Sequence, residues 1–210
     1  MTSNRRKKEK ESWFGTVIWL AIVVGIVVLL RTFVFSPVVI SGHSMDPTLH
    51  DGERVIAYKL AKVKRFDIVT LQAPDNPKEE YVKRVIGLPG DTIQMKDDQL
   101  YINGRKYNEP FLDDYENKLK AGTLASQYPA AYREVVENAK TFTNNFTLAT
   151  LASTNGQVKV PKDHYFVMGD NRLISKDSRY FGFVKASAIE GVVEFAYWPL
   201  KDFGPIKSNE

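Results

Sequence analysis

Residues 13–30 form an unbroken apolar stretch, and this stretch constrains the fold of the chain more than any other feature. It contains no charged side chain, and after Arg31 and Thr32 the apolar character resumes over residues 33–35. A helix needs about 20 residues to cross the hydrocarbon core of a bilayer, and inside lipid a helix satisfies its own backbone hydrogen bonds. The pattern therefore predicts a transmembrane helix over residues 13–35.

This apolar segment is consistent with either a cleaved signal peptide or a retained anchor. A cleaved signal peptide has an apolar core of about 7–15 residues, followed by small residues at the cleavage site. Here the core is longer, and Arg-Thr-Phe-Val-Phe follows it. We therefore expect a retained single-pass anchor in the cell membrane. By the positive-inside rule, the basic tail (residues 1–12) lies in the cytoplasm and residues 36–210 lie on the extracytoplasmic face.

The net charge of +4 does not indicate nucleic acid binding, because it is concentrated beside the anchor. Residues 1–35 hold six of the 29 Lys and Arg and two of the 25 Asp and Glu, which leaves 23 of each in the rest of the chain. A neutral remainder offers no basic surface for phosphates. The chain also has no cysteine, which excludes disulfides, thiol nucleophiles and cysteine metal sites.

The chain after Pro37 is mostly composed of short β-branched and aromatic runs between turn residues, which is typical of strands. The dipeptide Asn103-Gly104 separates two such runs, and this is the strongest short signal for a β-hairpin. We therefore predict a mainly β fold of antiparallel, coiled sheets. The strands are expected at residues 54–58, 67–71, 80–86, 91–95, 99–102, 105–107, 164–168 and 192–197.

Residues 113–157 differ from the rest in composition. Residues 115–121 and 130–140 favour helix, and residues 141–156 are rich in Thr and Asn. We interpret this segment as an insertion that carries none of the candidate chemistry. The triplet Asn145-Phe146-Thr147 fits a glycosylation acceptor, but such triplets are common by chance.

Ser44 is the first candidate for chemistry, in the run Ser-Gly-His-Ser-Met-Asp-Pro-Thr-Leu (residues 41–49). A serine hydroxyl is a poor nucleophile until a base removes its proton. His43 is its neighbour in the chain and is poorly placed to do so, since adjacent side chains in an extended segment point in opposite directions. His50 and His164 have no evident acidic partner, so a Ser-His-Asp triad is the weaker interpretation.

Lys83 is the better candidate for the base. It lies in the strand-like run Tyr-Val-Lys-Arg-Val-Ile (residues 81–86) among apolar side chains. A free lysine has a pKa near 10.4 and is almost wholly protonated at pH 7, but burial disfavours the charged form and lowers the pKa by several units. A buried Lys83 would then come close to the pKa range that general bases use.

A third motif, Gly-Asp-Asn-Arg-Leu-Ile-Ser-Lys-Asp-Ser-Arg (residues 169–179), follows an apolar strand. Its acids and arginines can form bidentate pairs that fix geometry, and Ser175 or Ser178 can orient the lysine amine. The chain lacks a Walker loop, a HExxH motif and a GxGxxG run. We therefore expect no nucleotide, no metal and no cofactor.

These three motifs, in this order and spacing and behind a single anchor, closely resemble the type I signal peptidases, which are bacterial serine proteases with a Ser/Lys dyad. The resemblance covers most of the chain apart from residues 113–157, and the single span is similar to the Gram-positive form. It implies that Ser44 is the nucleophile and Lys83 the general base. It also implies coiled antiparallel sheets with an apolar surface in the membrane.

The resemblance assigns further roles to other residues. Ser175 matches the serine that orients the lysine, and the ion pairs of the family match Asp170 with Arg84 and Asp177 with Arg179. The walls of the shallow substrate pockets correspond to Ile40, Met45, Leu49, Tyr81 and Val82.

The chain departs from the family pattern at two positions. Gly42 stands where some members have a serine that helps to hold the oxyanion, with Ser41 one place earlier. The Ser44 backbone N–H can still donate to the oxyanion, but the second donor is unassigned. Phe66 stands where the family often has glycine, and we expect a local packing change there.

The expected function is removal of signal peptides from exported precursor proteins at the lipid bilayer. Two alternatives are an anchored, non-catalytic β-domain that binds exported chains, and a self-cleaving Ser/Lys protease of the kind found in repressor regulators. The intact Ser44 and Lys83 argue against the first, and the membrane anchor argues against the second.

Overall fold

The computed structural model describes residues 3–206, with side chains from residue 13 onward. Residues 1–2 of the expected tail and residues 207–210 of the expected extracytoplasmic domain lie outside this range. The helices are α1 (Ser3–Phe33), α2 (Asp113–Lys120), α3 (Ala130–Glu137) and α4 (Ser178–Phe181). The strands are β1 (Phe35–Val39), β2 (Arg54–Tyr58), β3 (Ile68–Gln72), β4 (Glu80–Gly87), β5 (Ile93–Lys96), β6 (Gln99–Ile102), β7 (Arg105–Tyr107), β8 (Phe146–Thr147), β9 (His164–Met168), β10 (Val184–Lys185), β11 (Ile189–Trp198) and β12 (Gly204–Pro205).

The long first helix carries the apolar stretch. Within the described residues, one segment is long and apolar enough to cross a membrane, Trp13–Phe33, with a mean hydropathy of 2.6. Its large side chains are exposed, which suits contact with lipid rather than with a protein core. The helix ends at Phe33, two residues before the predicted end at residue 35, and the chain then enters β1, whose first residue is Phe35.

The larger sheet is antiparallel and has the strand order β1-β2-β11-β3-β4-β9-β10, with β12 paired to β11. Strand β4 pairs with β3 from Glu80 to Arg84, but β9 joins its other side only from Arg84 onward. The first half of β4 therefore has one free edge in the described structure. The edge strand β1 likewise has β2 as its one described neighbour.

The smaller sheet has the order β7-β6-β5-β8 and is also antiparallel. The turn Asn103-Gly104 joins β6 to β7, with φ values of +53° and +75°. Positive φ at both central residues is the signature of the tight hairpin turn that this dipeptide favours. Both sheets contribute side chains to one apolar core cluster, which includes Ile86, Ile93 and Phe166.

The segment of residues 113–157 folds onto the β-domain with its own apolar cluster. This cluster contains Leu112, Tyr115, Leu124, Ala125, Tyr128, Val136 and Phe142. Its strand β8 completes the smaller sheet by pairing with β5. Leu173 and Ile174 from the third sequence motif pack against the same cluster. The helical segment is thus joined to the motif segment that follows β9.

The predicted fold class, mainly β with antiparallel sheets behind one apolar helix, is confirmed. Most strand boundaries agree with the predicted ones within two residues. Strand β11 begins at Ile189 rather than at residue 192. Four strands were not predicted, namely β1, β8, β10 and β12. The helices of the insertion begin and end near the expected positions, at Asp113–Lys120 and Ala130–Glu137.

Candidate active site

Ser44 lies in a tight turn between β1 and β2. The turn closes through bonds from the N–H groups of Thr48 and Leu49 to the carbonyl of Met45, at 2.9 and 3.0 Å. The side chains of Met45 and Leu49 are each only 1% exposed, so they fix the turn to the core. Ser44 itself is half-buried and lines a cleft. The buried side chains on either side of the turn therefore fix the Ser44 hydroxyl at a surface opening.

Lys83 reaches this hydroxyl from β4. Its Nζ donates to Ser44 Oγ at 2.8 Å and to the Val82 carbonyl at 3.0 Å. The residue is 4% exposed. Burial lowers the pKa of Lys83 to about 8, while the carboxylates of Asp177 and Asp170 act in the opposite direction. Near neutral pH a useful fraction of this amine is therefore uncharged and able to accept a proton.

The three histidines contact groups other than the Ser44 hydroxyl. His43 Nδ1 lies 3.1 Å from Asp46 Oδ2, His50 Nδ1 lies 2.9 Å from Glu53 Oε1, and His164 Nδ1 contacts the Lys162 carbonyl. No histidine hydrogen-bonds Ser44 Oγ in the described part of the chain. A Ser-His-Asp arrangement is therefore not supported, and the geometry favours a serine with a lysine.

Arg84, the next residue on β4, forms a buried ion pair with Asp170. Its Nε and Nη2 donate to the two carboxylate oxygens at 2.8 and 2.6 Å, and both residues are fully buried. Thr48 Oγ1 donates to the same carboxylate at 2.5 Å, and Arg84 Nη1 donates to the Phe66 carbonyl. This bidentate pair links β4, the Ser44 turn and the segment after β9.

Asp177 and Arg179 form the second predicted pair. Arg179 Nε and Nη2 each lie 2.8 Å from a carboxylate oxygen of Asp177, which also accepts from the Gly169 N–H at 3.0 Å. Burial alone would raise the pKa of Asp177, but the Arg179 charge and hydrogen bonds hold it below its usual range. The carboxylate therefore stays charged near Lys83 and keeps the lysine pKa from falling further.

Ser175 lies beside this pair, 2% exposed. Its Oγ meets ordinary hydrogen-bond geometry with no described residue, although it lies close enough to Asp177 to help lower the pKa of that carboxyl. Its hydroxyl contacts Gly169, where an added Cβ would overlap both Ser175 Oγ and the Ser44 carbonyl oxygen. Ser175 is thus near the Ser44 turn, but the structure shows no bond from it to Lys83.

A cleft of about 220 Å³ opens beside Ser44 and Lys83. Four of the five residues predicted as pocket walls line it: Ile40, Met45, Tyr81 and Val82. The fifth, Leu49, is not among the residues that line the cleft, and it is buried in the core cluster that also contains Ile40 and Met45. Residues of β1 and the buried Thr70 line the cleft as well and were not predicted, because nothing in their local sequence distinguishes them from other strand residues.

Two further residues that support the Ser44 turn were not predicted from the sequence. Asn171, fully buried, donates from Nδ2 to the His43 carbonyl at 2.9 Å and from its N–H to the Ser44 carbonyl at 3.1 Å. Tyr128, from the helical segment, donates to Asn171 Oδ1 at 2.5 Å. Asn171 stands inside a recognised motif, whereas Tyr128 carries no signal in the sequence.

No group of three or more His, Asp or Glu side chains in the described part of the chain is arranged to hold a metal ion. Around Ser44 the site offers a hydroxyl, an amine of lowered pKa and two buried ion pairs. Such a set suits nucleophilic attack on a carbonyl, with the amine as base.

Comparison with known proteins relates the chain to one family. A family model described as "Signal peptidase, peptidase S26" matches residues 13–198. Signal peptidase I of Bacillus caldolyticus is 42% identical over 208 residues, which cover 97% of this chain and 98% of that protein. Signal peptidase IB of Staphylococcus aureus is 39% identical and covers 94% of each chain. The crystal structure of a signal peptidase I from Enterococcus faecalis V583 is 42% identical, covering 63% of this chain and 97% of that one, with a TM-score of 0.49.

Proposed function

The chain belongs to the signal peptidase family, peptidase S26, and from this we propose that Ser44 and Lys83 are the nucleophile and the general base with which it cleaves signal peptides. Membership of the family shows a signal-peptide-cleaving serine peptidase, a hydrolase. The apolar helix is long enough to serve as the membrane anchor that we propose for it. The observation that carries the residue assignment is the 2.8 Å contact between Ser44 Oγ and the buried Lys83 amine.

The reaction follows from this geometry. The neutral Lys83 amine removes the proton as Ser44 Oγ attacks the scissile carbonyl carbon. The resulting tetrahedral oxyanion collapses, the protonated Lys83 gives its proton to the leaving amine, and an ester joins Ser44 to the signal peptide. Lys83 then removes a proton from the water that attacks the ester carbonyl and returns it to Ser44 Oγ, so that the signal peptide leaves with a free carboxyl group and the hydroxyl and the neutral amine are both regenerated.

The two ion pairs act as scaffold in this proposal. Arg84 and Asp170 hold β4 against the Ser44 turn, because their bonds also engage Thr48. Asp177 and Arg179 place a charged carboxylate near Lys83. Ser175 is proposed to orient the amine once substrate has entered, when a rotation of its hydroxyl would give it a partner.

The substrate is proposed to bind as an added strand in the cleft. The cleft runs between β1, an edge strand, and the first half of β4, which has a free edge. An extended peptide there can take backbone hydrogen bonds from both sides, while the pockets select side chains. As the resemblance to the signal peptidases implies, the pockets are proposed to admit small residues such as alanine at the first and third positions before the cut.

The dyad is tested by Ser44→Ala and Lys83→Ala in the full chain in detergent micelles, assayed on a signal-peptide-bearing precursor with mass spectrometry of the products. Both variants are expected to lose turnover. Matched controls are Ser187→Ala and Lys96→Ala, which change exposed residues outside the cleft. Wild-type turnover in either dyad variant would contradict the assignment.

We also propose the domain organisation and orientation: a cytoplasmic tail at residues 1–12, an anchor at residues 13–35 and an extracytoplasmic catalytic domain at residues 36–210. The native chain has no cysteine, so single-cysteine variants report topology directly. In intact spheroplasts a membrane-impermeant maleimide is expected to label Ser187→Cys and not Ser3→Cys. Labelling of Ser3→Cys alone would reverse the orientation.

A further inference from the structure

The helical segment reaches the Ser44 turn through a chain of two hydrogen bonds. Tyr128 Oη donates to Asn171 Oδ1, and Asn171 Nδ2 donates to the His43 carbonyl at 2.9 Å. Tyr128 is 3% exposed and Asn171 is fully buried. The bond between Tyr128 and Asn171 is buried and the bond from Asn171 to His43 is partly buried, so competition with bulk water is limited at both.

The direction of each bond is fixed by the chemistry of its ends. A carbonyl oxygen only accepts, so the NH₂ of Asn171 must face His43 and its amide oxygen must face Tyr128. Burial raises the pKa of Tyr128 well above its ordinary value, so the phenol stays protonated and donates. The Tyr128 hydroxyl thereby holds the Asn171 amide in the one orientation that can bond His43.

The His43 carbonyl shares its peptide group with the Ser44 N–H. Because that group is planar and trans, fixing the C=O toward Asn171 directs the N–H to the opposite side. The Asn171 N–H also holds the Ser44 carbonyl, at 3.1 Å. Asn171 therefore restrains the peptide planes on both sides of Ser44, and with them the direction of the Ser44 N–H.

The Ser44 N–H has no hydrogen-bond acceptor among residues 3–206. A free, fixed N–H at the nucleophile is the arrangement that stabilises a tetrahedral oxyanion. Residue 42 is a glycine and brings no side-chain donor to the same turn. The orientation of the Ser44 N–H consequently matters more here than in a site with a second donor on that residue.

We propose that Tyr128 is a positioning residue for catalysis, acting through Asn171 to aim the Ser44 N–H at the oxyanion. The helical segment of residues 113–157 is then part of the active site and not a neutral insertion. This inference rests on the proposed role of Ser44 as the nucleophile. It assigns to Tyr128 a contribution to the transition state and none to substrate binding.

The test is Tyr128→Phe, which removes one hydroxyl and keeps the ring in its apolar cluster. Its matched control is Tyr115→Phe, because Tyr115 lies in the same cluster with its ring centroid 6.1 Å from that of Tyr128 and has no bond to Asn171 in the described structure. The full chain in detergent is assayed on an internally quenched peptide with alanine at the first and third positions before the cut.

Tyr128→Phe is expected to lower kcat by about fivefold to tenfold, the effect of losing one orienting hydrogen bond. KM should stay within about twofold, and the pH midpoint of kcat/KM should not move, because Lys83 is untouched. Tyr115→Phe should keep the wild-type kcat. An unchanged kcat in Tyr128→Phe, an equal loss in both variants, or a rise in KM alone would each overturn the proposal.

Asn171→Ala supplies a second measurement. Removing the amide is expected to lower kcat more than Tyr128→Phe does, and adding Tyr128→Phe to it should cause no further loss, because both changes act on one peptide group. Additive losses would refute the relay. Ser44→Ala separates the two ideas: if it retains turnover the proposed function fails, whereas if it is inactive and Tyr128→Phe equals wild type, only the relay fails.

Discussion

Lys83 Nζ lies 2.8 Å from Ser44 Oγ, although the two residues are 39 positions apart in the chain. The contact joins strand β4 to a tight turn. Its lysine is nearly inaccessible to water, since Lys83 is 4% exposed. Its chemistry depends on the charge of the lysine. Burial lowers the pKa of Lys83 to about 8, and the nearby carboxylates keep it from falling further.

The first prediction concerns pH. Only the neutral amine can take the serine proton, so kcat/KM should rise about tenfold per pH unit below the pKa of Lys83 and level off above it, with a midpoint near 8. A pH profile on the quenched peptide, measured between pH 6 and pH 10, checks this. A midpoint near 6.5 would instead indicate a histidine base.

The second prediction concerns the stability cost of the lysine. The folded-state pKa of Lys83, about 8, lies below its ordinary value of 10.5, so below pH 8 the folded protein carries the full penalty of a buried charge. Lys83→Met should therefore be inactive but more stable at pH 7, by at most roughly 3 kcal/mol.

This gain in stability should shrink between pH 8 and pH 10, because the unfolded wild-type chain still binds the proton that the folded chain has released. Thermal unfolding of both proteins in detergent at several pH values measures it. The control is Lys96→Met on an exposed position of β5, which should show no such trend. A loss of stability in Lys83→Met at pH 7 would contradict the prediction.

The third prediction concerns Gly169, which packs directly beneath the Ser44 turn. A Cβ at this position would overlap the Ser44 carbonyl oxygen and Ser175 Oγ. Because a backbone atom cannot rotate away, Gly169→Ala should displace the nucleophile and lower kcat/KM by about a hundredfold. Gly25→Ala in α1 is the matched control, since its Cβ would meet nothing within 4 Å. Equal activity in both variants would refute the close-packing argument.

The fourth prediction concerns Phe66, which has a left-handed backbone with φ of +66°. Its ring packs against Tyr107 and Phe111 with centroids 6.0 and 5.9 Å away, and its carbonyl accepts from Arg84. Left-handed backbone costs a non-glycine residue about 1 kcal/mol or more, whereas losing a buried phenylalanine ring costs about 3–5 kcal/mol.

Two replacements of Phe66, by glycine and by alanine, should therefore destabilise the protein by different amounts. Phe66→Gly loses the ring but relieves the backbone, so it should be less stable than wild type and more stable than Phe66→Ala, which loses the ring and keeps the backbone strain. Thermal unfolding of the three proteins gives the order. A glycine variant as stable as wild type would show that the ring contributes little.

Features that depend on neighbouring residues in the chain were predictable. The strands around Asn103-Gly104 follow from alternating side chains and a dipeptide suited to the turn, and they lie at the predicted residues. The long apolar helix follows from 18 uncharged residues in a row. The departure from the family pattern at Phe66, where glycine is common, was visible in the sequence as well. The positive φ at this position is a property of the folded backbone.

The sequence by itself indicated a serine and a lysine as the candidate reactive groups, and it determined that an apolar helix would precede them and that the rest would be mainly β-sheet, because residue types and short-range periodicity encode these properties. The tertiary structure alone decided how deeply Lys83 is buried, which bonds it makes and which parts of the chain support Ser44. Tyr128 reaches Asn171 across 43 positions through packing of the helical segment, and no local pattern encodes such a contact. Burial and hydrogen-bond direction arise only when distant segments pack together, and they are what set the pKa of the lysine and the direction of the Ser44 N–H.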